Sequence, residues 1–239
     1  MLGTLYGIGV GPGDPELLTL KAVKTLQRVD HVFAAASSKN DYSVALDIVK
    51  DHLPPEAPLD TLAFPMTFNS ERLENAWQAN CEKVIEVLGQ GKNAAFLTLG
   101  DPLTFSTFIY LMRKVKRALP SVTVTCIPGI TSFQAAVACA GVPLAEGEEV
   151  VTIVSGAKGG ERLKDVVGFS DNVILLKTYK QFPGILESIE EEGLQDCCCF
   201  VSRCGQDGEI VERDFSKMQE ISQPHYLSLM IIKKKGMEP

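Results

Sequence analysis

Apolar runs of strand length alternate along this chain with stretches of helical period. Strands are expected at residues 4–10, 31–35, 93–99, 122–127, 149–154, 172–177, 197–203 and 226–233. Thr19 reads as the N-cap of a helix over 20–27, with Leu20, Val23 and Leu26 on one face. Asp41 or Ser43 opens a helix that runs to about His52. Ser70 opens a long one, with Leu73, Trp77, Cys81, Val84 and Leu88 at helical spacing and a stop near Gly89 or Gly91. Further helices are expected over 106–119, 131–140 and 182–192. Strands alternating with helices imply a largely parallel sheet covered on both faces.

The sequence "ALPSVTV" near residue 120 reads as a joint, which gives two α/β lobes of similar size, 1–119 and 120–239. After residue 195 the rhythm changes. "VSRCGQDGEIVER" reads as strand, turn at Asp207-Gly208, strand, and the last strand follows with no long helix between. The second lobe should therefore hold a mixed sheet that ends in antiparallel strands, while the first should be mostly parallel.

Composition narrows the classes. With 239 residues, 45% of them hydrophobic, the chain can bury a sizeable core. Its formal charge is -7, and no basic cluster is interleaved with aromatics, which argues against a nucleic-acid partner. The run Lys233-Lys234-Lys235 reads as a solvated strand end. No cationic segment precedes the first apolar stretch, and no apolar run approaches the ~18 residues of a membrane span, so a soluble cytoplasmic protein without membrane contact is expected. Of seven cysteines, Cys197, Cys198 and Cys199 are consecutive in an expected strand. Their side chains alternate between faces and cannot easily share a metal. There is no C-x-x-C, and His31, His52 and His225 are not at ligand spacing. The cysteines read as small buried apolar residues in a reducing compartment, and no metal is expected.

The candidate chemistry sits at strand ends. "YGIGVGPGDPELLTL", residues 6–20, suggests a nucleotide loop, yet G-x-G-x-x-G fails from Gly7, where Pro12 falls in the last place, and from Gly9, where Asp14 does. No Gly-Lys-Ser/Thr follows either. What remains is a stiff loop, Gly11-Pro12-Gly13-Asp14-Pro15, that reads equally as a ligand site or a tight structural turn. A second loop, Gly100-Asp101-Pro102 in "TLGDPLTFST", also leaves a strand for a helix. So does a third, "CIPGITSF", in which Thr131-Ser132 opens the helix. Ligands of parallel α/β sheets bind outside the carboxyl ends of the strands, so three such loops reinforce one another. Asp101 can accept from a ribose or amino group, and Thr131 and Ser132 suit a carboxylate. The plain alternative is that Thr131 caps its helix and Gly-Asp-Pro is a turn.

"GVGPGDPELLTLKA", "LGDP" and "PGITSF", in this order, resemble the S-adenosylmethionine-dependent tetrapyrrole methylases over nearly the whole chain. "FPM" at 64–66, "TLGDPLTFST", "PLAEGEE" at 143–149, "VSRCG" at 201–205 and "YLSLMI" at 226–231 resemble the branch that methylates carbon 20 of precorrin-2, or its cobalt form, in vitamin B12 synthesis. The resemblance implies two α/β lobes with the active-site cleft between them and S-adenosylmethionine folded in that cleft. By position it makes Leu99, Gly100, Asp101, Thr104, Thr131, Ser132, Lys177, Tyr179, Arg203, Cys204, Tyr226 and Leu227 cofactor contacts. It places the first loop at the floor of the substrate trough, with Gly11, Pro12, Gly13, Asp14, Lys39, Phe105 and Arg203 toward substrate. Phe105 stands where the branch usually has Tyr. Asp14, Asp101 and Tyr179 are the candidates to take the carbon-20 proton. The resemblance further implies a homodimer.

Such substrates carry many carboxylates, which calls for local cations despite the net negative charge. Lys39, Arg72, Arg113, Lys177, Lys180 and Arg203 are available, and Arg203 stands out because it interrupts an apolar run just before Gly205. The branch motifs argue against other ring methylases, such as uroporphyrinogen III methyltransferase, and against diphthine synthase. The failed G-x-G-x-x-G disfavours a dehydrogenase. Intact Gly100-Asp101-Pro102 and Thr131-Ser132 argue against a tetrapyrrole carrier that has lost its cofactor.

Overall fold

The computed structural model describes residues 1–37, 43–65 and 69–237. It divides into two compact units, Met1–Thr131 and Ser132–Pro239. The division falls beyond the expected joint near 120, and the reason is a strand pairing: β5 (Thr123–Ile127) runs parallel beside β1 (Thr4–Gly9), from Thr4↔Thr123 to Ile8↔Ile127, and completes the first sheet.

The first sheet also contains β2 (His31–Ser37), β3 (Leu59–Phe64) and β4 (Ala94–Thr98), in the order β3-β2-β4-β1-β5 with every pair parallel. Strand alternation divides its side chains between two cores. On β4, Ala94 and Phe96 join a cluster with Trp77, Val84 and Leu88 of α3 (Ser70–Gly89) and with Leu111 and Val115 of α4 (Phe108–Ala118). Ala95 and Leu97 face the other way. They pack with Ala22 and Leu26 of α1 (Leu20–Leu26) and with Ile48 and Val49 of α2 (Val44–Val49). Thr19 caps α1 as expected, its hydroxyl accepting from the Ala22 N–H at 3.2 Å. α3 opens at Ser70 as expected, and Asn69 caps it, its side-chain oxygen accepting from the Arg72 N–H at 2.9 Å.

This winding creates a switch point. The chain leaves β1 for α1 on one face and leaves β4 for α4 on the other, so the loops after the adjacent strands β1 and β4 part in opposite directions. Open α/β sheets receive ligands at such a crevice.

The second sheet has the order β6-β7-β10-β8-β9. β6 (Val151–Ser155) and β7 (Asn172–Leu176) are parallel. β10 (Ser228–Lys233) is antiparallel to β7 and to β8 (Cys198–Ser202), and β9 (Ile210–Glu212) is antiparallel to β8. The mixed sheet with antiparallel C-terminal strands is therefore present. α5 (Ser132–Ala140) packs on β8 and β10. α6 (Glu161–Val167), α7 (Phe182–Glu191) and α8 (Phe215–Gln219) supply Leu163, Ile185 and Met218 to a cluster with Val173, Phe200 and Met230.

Lys233 departs from the solvated strand end expected of it. Only 4% exposed, it donates from Nζ to the Pro143 carbonyl at 2.8 Å. Lys235 Nζ donates to Glu149 Oε1 at 3.0 Å, and Asn172 Nδ2 donates to Glu149 Oε2 at 2.8 Å. The "PLAEGEE" segment thus fastens the end of β10.

Candidate functional site

In the first unit the three expected loops meet at the carboxyl ends of β1, β4 and β5. Gly100 N–H donates to the Gly11 carbonyl at 2.8 Å, and Gly11 N–H donates back to the Gly100 carbonyl at 3.4 Å. A Cβ on Gly129 would stand 2.1 Å from the Gly100 oxygen and 2.8 Å from the Gly9 Cα. Backbone therefore lies directly on backbone here, which only glycine permits. Gly9 and Gly11 serve this contact within the chain.

Asp101 ties two of the loops together. Its Oδ1 accepts from Leu103 N–H at 2.9 Å and from the Thr104 hydroxyl at 3.3 Å, while its Oδ2 accepts from Gly129 N–H at 3.3 Å. Asp14 is likewise engaged: Oδ1 accepts from Glu16 N–H at 2.8 Å and caps the one-turn helix Pro15–Leu17. Gly11, Pro12 and Gly13 are buried, and Leu99, Gly100, Asp101, Thr104, Thr131 and Ser132 are half-buried. Thr98 and Ser106 share a buried hydroxyl hydrogen bond of 2.9 Å, and Ser106 Oγ accepts from Phe108 N–H at 3.1 Å. Pinned between these polar groups, Phe105 takes φ 51° with its ring half exposed. Lys39 lies outside the described residues.

In the second unit β10 runs opposite to β7 and β8, so its start lies beside their carboxyl ends. This brings Lys177, Tyr179, Arg203, Tyr226 and Leu227 together. Arg203 N–H donates to the Leu227 carbonyl at 2.9 Å. Thr178 and Ser228 share a buried hydroxyl hydrogen bond of 2.9 Å. The Tyr179 and Tyr226 rings meet edge to face at 6.5 Å, and Lys180 Nζ lies 5.8 Å from the Tyr179 ring centre. Lys177 and Arg203 have φ 60° and 54°. With Phe105 they are the non-glycine residues of positive φ among the described residues, and all three were singled out from the sequence. Backbone strain of this kind persists where the surroundings over-determine it, and it gathers at functional sites.

The strand expected over 197–203 stops one residue short, before Arg203. β8 ends at Ser202, and the Arg203 side chain is exposed and lies over Gly208. No carboxylate of the described residues pairs with it. Its neighbour His225 has no second histidine at ligand spacing, so the sequence carries no signal of this position. Burial first, and then the Arg203 charge, push the His225 pKa down. Its Nδ1 accepts from Leu227 N–H at 3.2 Å, so the neutral ring carries its proton at Nε2.

Cys204 turns its side chain away from this group. Its Sγ lies 3.1 Å from the Cys139 Sγ on α5, and Cys139 Sγ lies 3.3 Å from Glu209 Oε2. Cys198 and Cys199 of β8 fit the apolar reading instead: burial pushes their thiols up to about 12 and about 11. Cys139 does not fit it, being exposed.

The comparisons with known proteins settle the family. A family model described as Tetrapyrrole (Corrin/Porphyrin) Methylases matches residues 4–218. The chain belongs to that family. This tetrapyrrole methylase is 30% identical over 234 residues, 98% of each chain, to a cobalt-precorrin-2 C(20)-methyltransferase of Salmonella typhimurium. It is 35% identical over 235 residues, 96% of each chain, to a probable cobalt-precorrin-2 C(20)-methyltransferase of Methanocaldococcus jannaschii. Its fold matches a crystal structure of uroporphyrin-III C-methyl transferase from Thermus thermophilus complexed with S-adenyl homocysteine, with a TM-score of 0.68, 21% identity and coverage of 97% of this chain and 98% of that one. Among the described residues of this methylase, no helix is long and apolar enough to cross a membrane.

Proposed function

We propose that this methylase transfers the methyl group of S-adenosylmethionine to carbon 20 of cobalt-precorrin-2 in cobalamin biosynthesis. The observation that carries the reading is the end-to-end match to C(20)-methyltransferases, one of them over 98% of both chains. The cobalt form is preferred because both of those relatives carry it in their names. We further propose a cytoplasmic homodimer, on the family resemblance.

The donor set fits the cofactor. Peptide groups at Leu99–Asp101 and hydroxyls at Thr104, Thr131 and Ser132 offer partners to its ribose, amino and carboxylate groups. The half-buried Tyr179 and exposed Tyr226 offer flat apolar surface, and the peptide groups of Lys177, Arg203, Cys204 and Leu227 complete the set. When bound, S-adenosylmethionine supplies a methyl already activated as a sulfonium. What this chain adds is placement: the Asp101 clamp and the glycine contacts fix the loops of the first unit before ligand arrives, which limits the entropy lost on binding. The buried first loop, Gly11 to Gly13 with Asp14, and the exposed ring of Phe105 form the floor on which the tetrapyrrole rests. Arg203 and Lys177 meet its carboxylates, Arg203 by a two-pronged pair. For the carbon-20 proton, Asp14, Asp101 and Tyr179 are the proposed acceptors. Asp101 has both oxygens occupied by loop donors, so its first duty is positional.

Isothermal titration with S-adenosylmethionine, followed by transfer of a labelled methyl to cobalt-precorrin-2, tests the reading. Cofactor binding with transfer is expected. Binding of tetrapyrrole without binding of cofactor would make the chain a carrier.

A further inference from the structure

Three side chains of the second unit converge from separate segments: Cys139 on α5, Cys204 in the loop after β8, and Glu209 just before β9. Their sulfur and carboxylate atoms lie within 4.8 Å of one another. We propose that Cys139, Cys204 and Glu209 form a binding site for a borderline-soft divalent cation, zinc above all.

Donor chemistry selects the metal. Two sulfurs and one carboxylate oxygen are zinc ligands, whereas magnesium and calcium demand oxygen. Tetrahedral zinc with bonds of about 2.3 Å to sulfur keeps its ligand atoms about 3.5–3.8 Å apart. The observed sulfur–sulfur distance of 3.1 Å is shorter by about 0.7 Å and the sulfur–oxygen distance of 3.3 Å by about 0.2 Å, so the thiols must rotate apart to admit the ion. The carboxylate is already oriented, because Gly205 N–H donates to Glu209 Oε2 at 2.7 Å, and such outer support is what metal ligands require. Cys204 is buried while Cys139 and Glu209 are exposed, which gives an anchored floor and an open entry. Each thiol releases its proton to solvent as it ligates, and the fourth position is left to water. The ion would join α5 to the loop that begins at Arg203, a loop already held to Leu227 by the Arg203 N–H.

The test uses the full chain, stripped with chelator and reduced with a phosphine, then titrated with zinc against a chromophoric competitor and with cobalt(II) under a spectrometer. One ion per chain is expected, with a near-ultraviolet thiolate-to-cobalt band. Cys139→Ser alters an exposed sulfur and should weaken zinc binding by more than roughly a hundredfold, beyond the 10–100-fold typical of an outer-shell loss. Glu209→Gln should weaken it by about tenfold or more. Cys197→Ser, outside the cluster, should leave it unchanged. A reduced, folded chain that takes up no zinc overturns the proposal. So does a Cys139→Ser chain that binds as tightly as wild type, or cobalt uptake without the thiolate band.

Discussion

In the first unit the loops after β1, β4 and β5 are fixed by backbone lying on backbone at Gly9, Gly100 and Gly129, with the Asp101 carboxylate bracing them. In the second unit the loops after β7 and β8 turn on Lys177 and Arg203, which accept an unfavourable φ and keep their side chains exposed. A glycine at either position would turn the chain at lower cost but would present no cation. The first arrangement builds a rigid frame of peptide groups, and the second displays charge. That division fits the roles proposed above, a cofactor held largely by peptide groups and a substrate with many carboxylates.

The contrast breaks most sharply at Gly129. A side chain there meets peptide atoms that cannot turn aside, so Gly129→Val should destabilise the chain by about 3 kcal/mol, read by denaturant titration. A loss within the noise of that titration would mean that the loops are not locked. The next largest effect belongs to Arg203→Lys, which keeps the charge and removes the fork. Tetrapyrrole affinity should fall about tenfold while melting temperature and S-adenosylmethionine affinity hold. Equal substrate affinity in both chains would take Arg203 out of the substrate site. Smaller still is Lys177→Gly, which relieves the left-handed strain at some entropic cost. It should raise stability by up to about 1 kcal/mol and weaken substrate binding, a stability–function opposition that Gly129 cannot show. The smallest effect concerns Glu149, held down to about 2 from 4.5 by the Asn172 hydrogen bond first and then by Lys235. Its stabilising contribution is complete above pH 4.5 and disappears as pH falls from there through about 2. Glu149→Gln should flatten that part of an acid-unfolding profile, and an unchanged profile would show that the ionised carboxylate does not hold the end of β10.

Much of this was legible because it is local. The loops at 11–15, 100–102 and 128–132 announce themselves by glycine and proline at strand ends, and the alternation of strands and helices gives the α/β class. β3 escaped notice because only Leu62 of its six residues is buried, so it carries no strand-length apolar run. α6 escaped for the same reason, with Leu163 its one buried residue. The joint was placed too early because a proline near a polar turn marks a loop, not a domain boundary; the pairing of β5 with β1 decides that, and pairing is not written locally. The strand expected over 197–203 runs one residue too far, because the apolar run gives no sign that Arg203 turns the chain with a positive φ. The meeting of Cys139 with Cys204 and Glu209 spans 65 and 70 residues, and no spacing rule reaches so far.

Which carbon receives the methyl decides the proposed activity. Precorrin-2 incubated with the enzyme and S-adenosylmethionine carrying a carbon-13 methyl, with the product examined by NMR, answers that directly, and a parallel mass-spectrometric rate on the cobalt form shows which substrate is preferred. One labelled methyl on the meso carbon 20, formed faster with cobalt in the ring, is the predicted result. A label on any other carbon, or none on either substrate from a chain that binds the cofactor, would contradict it.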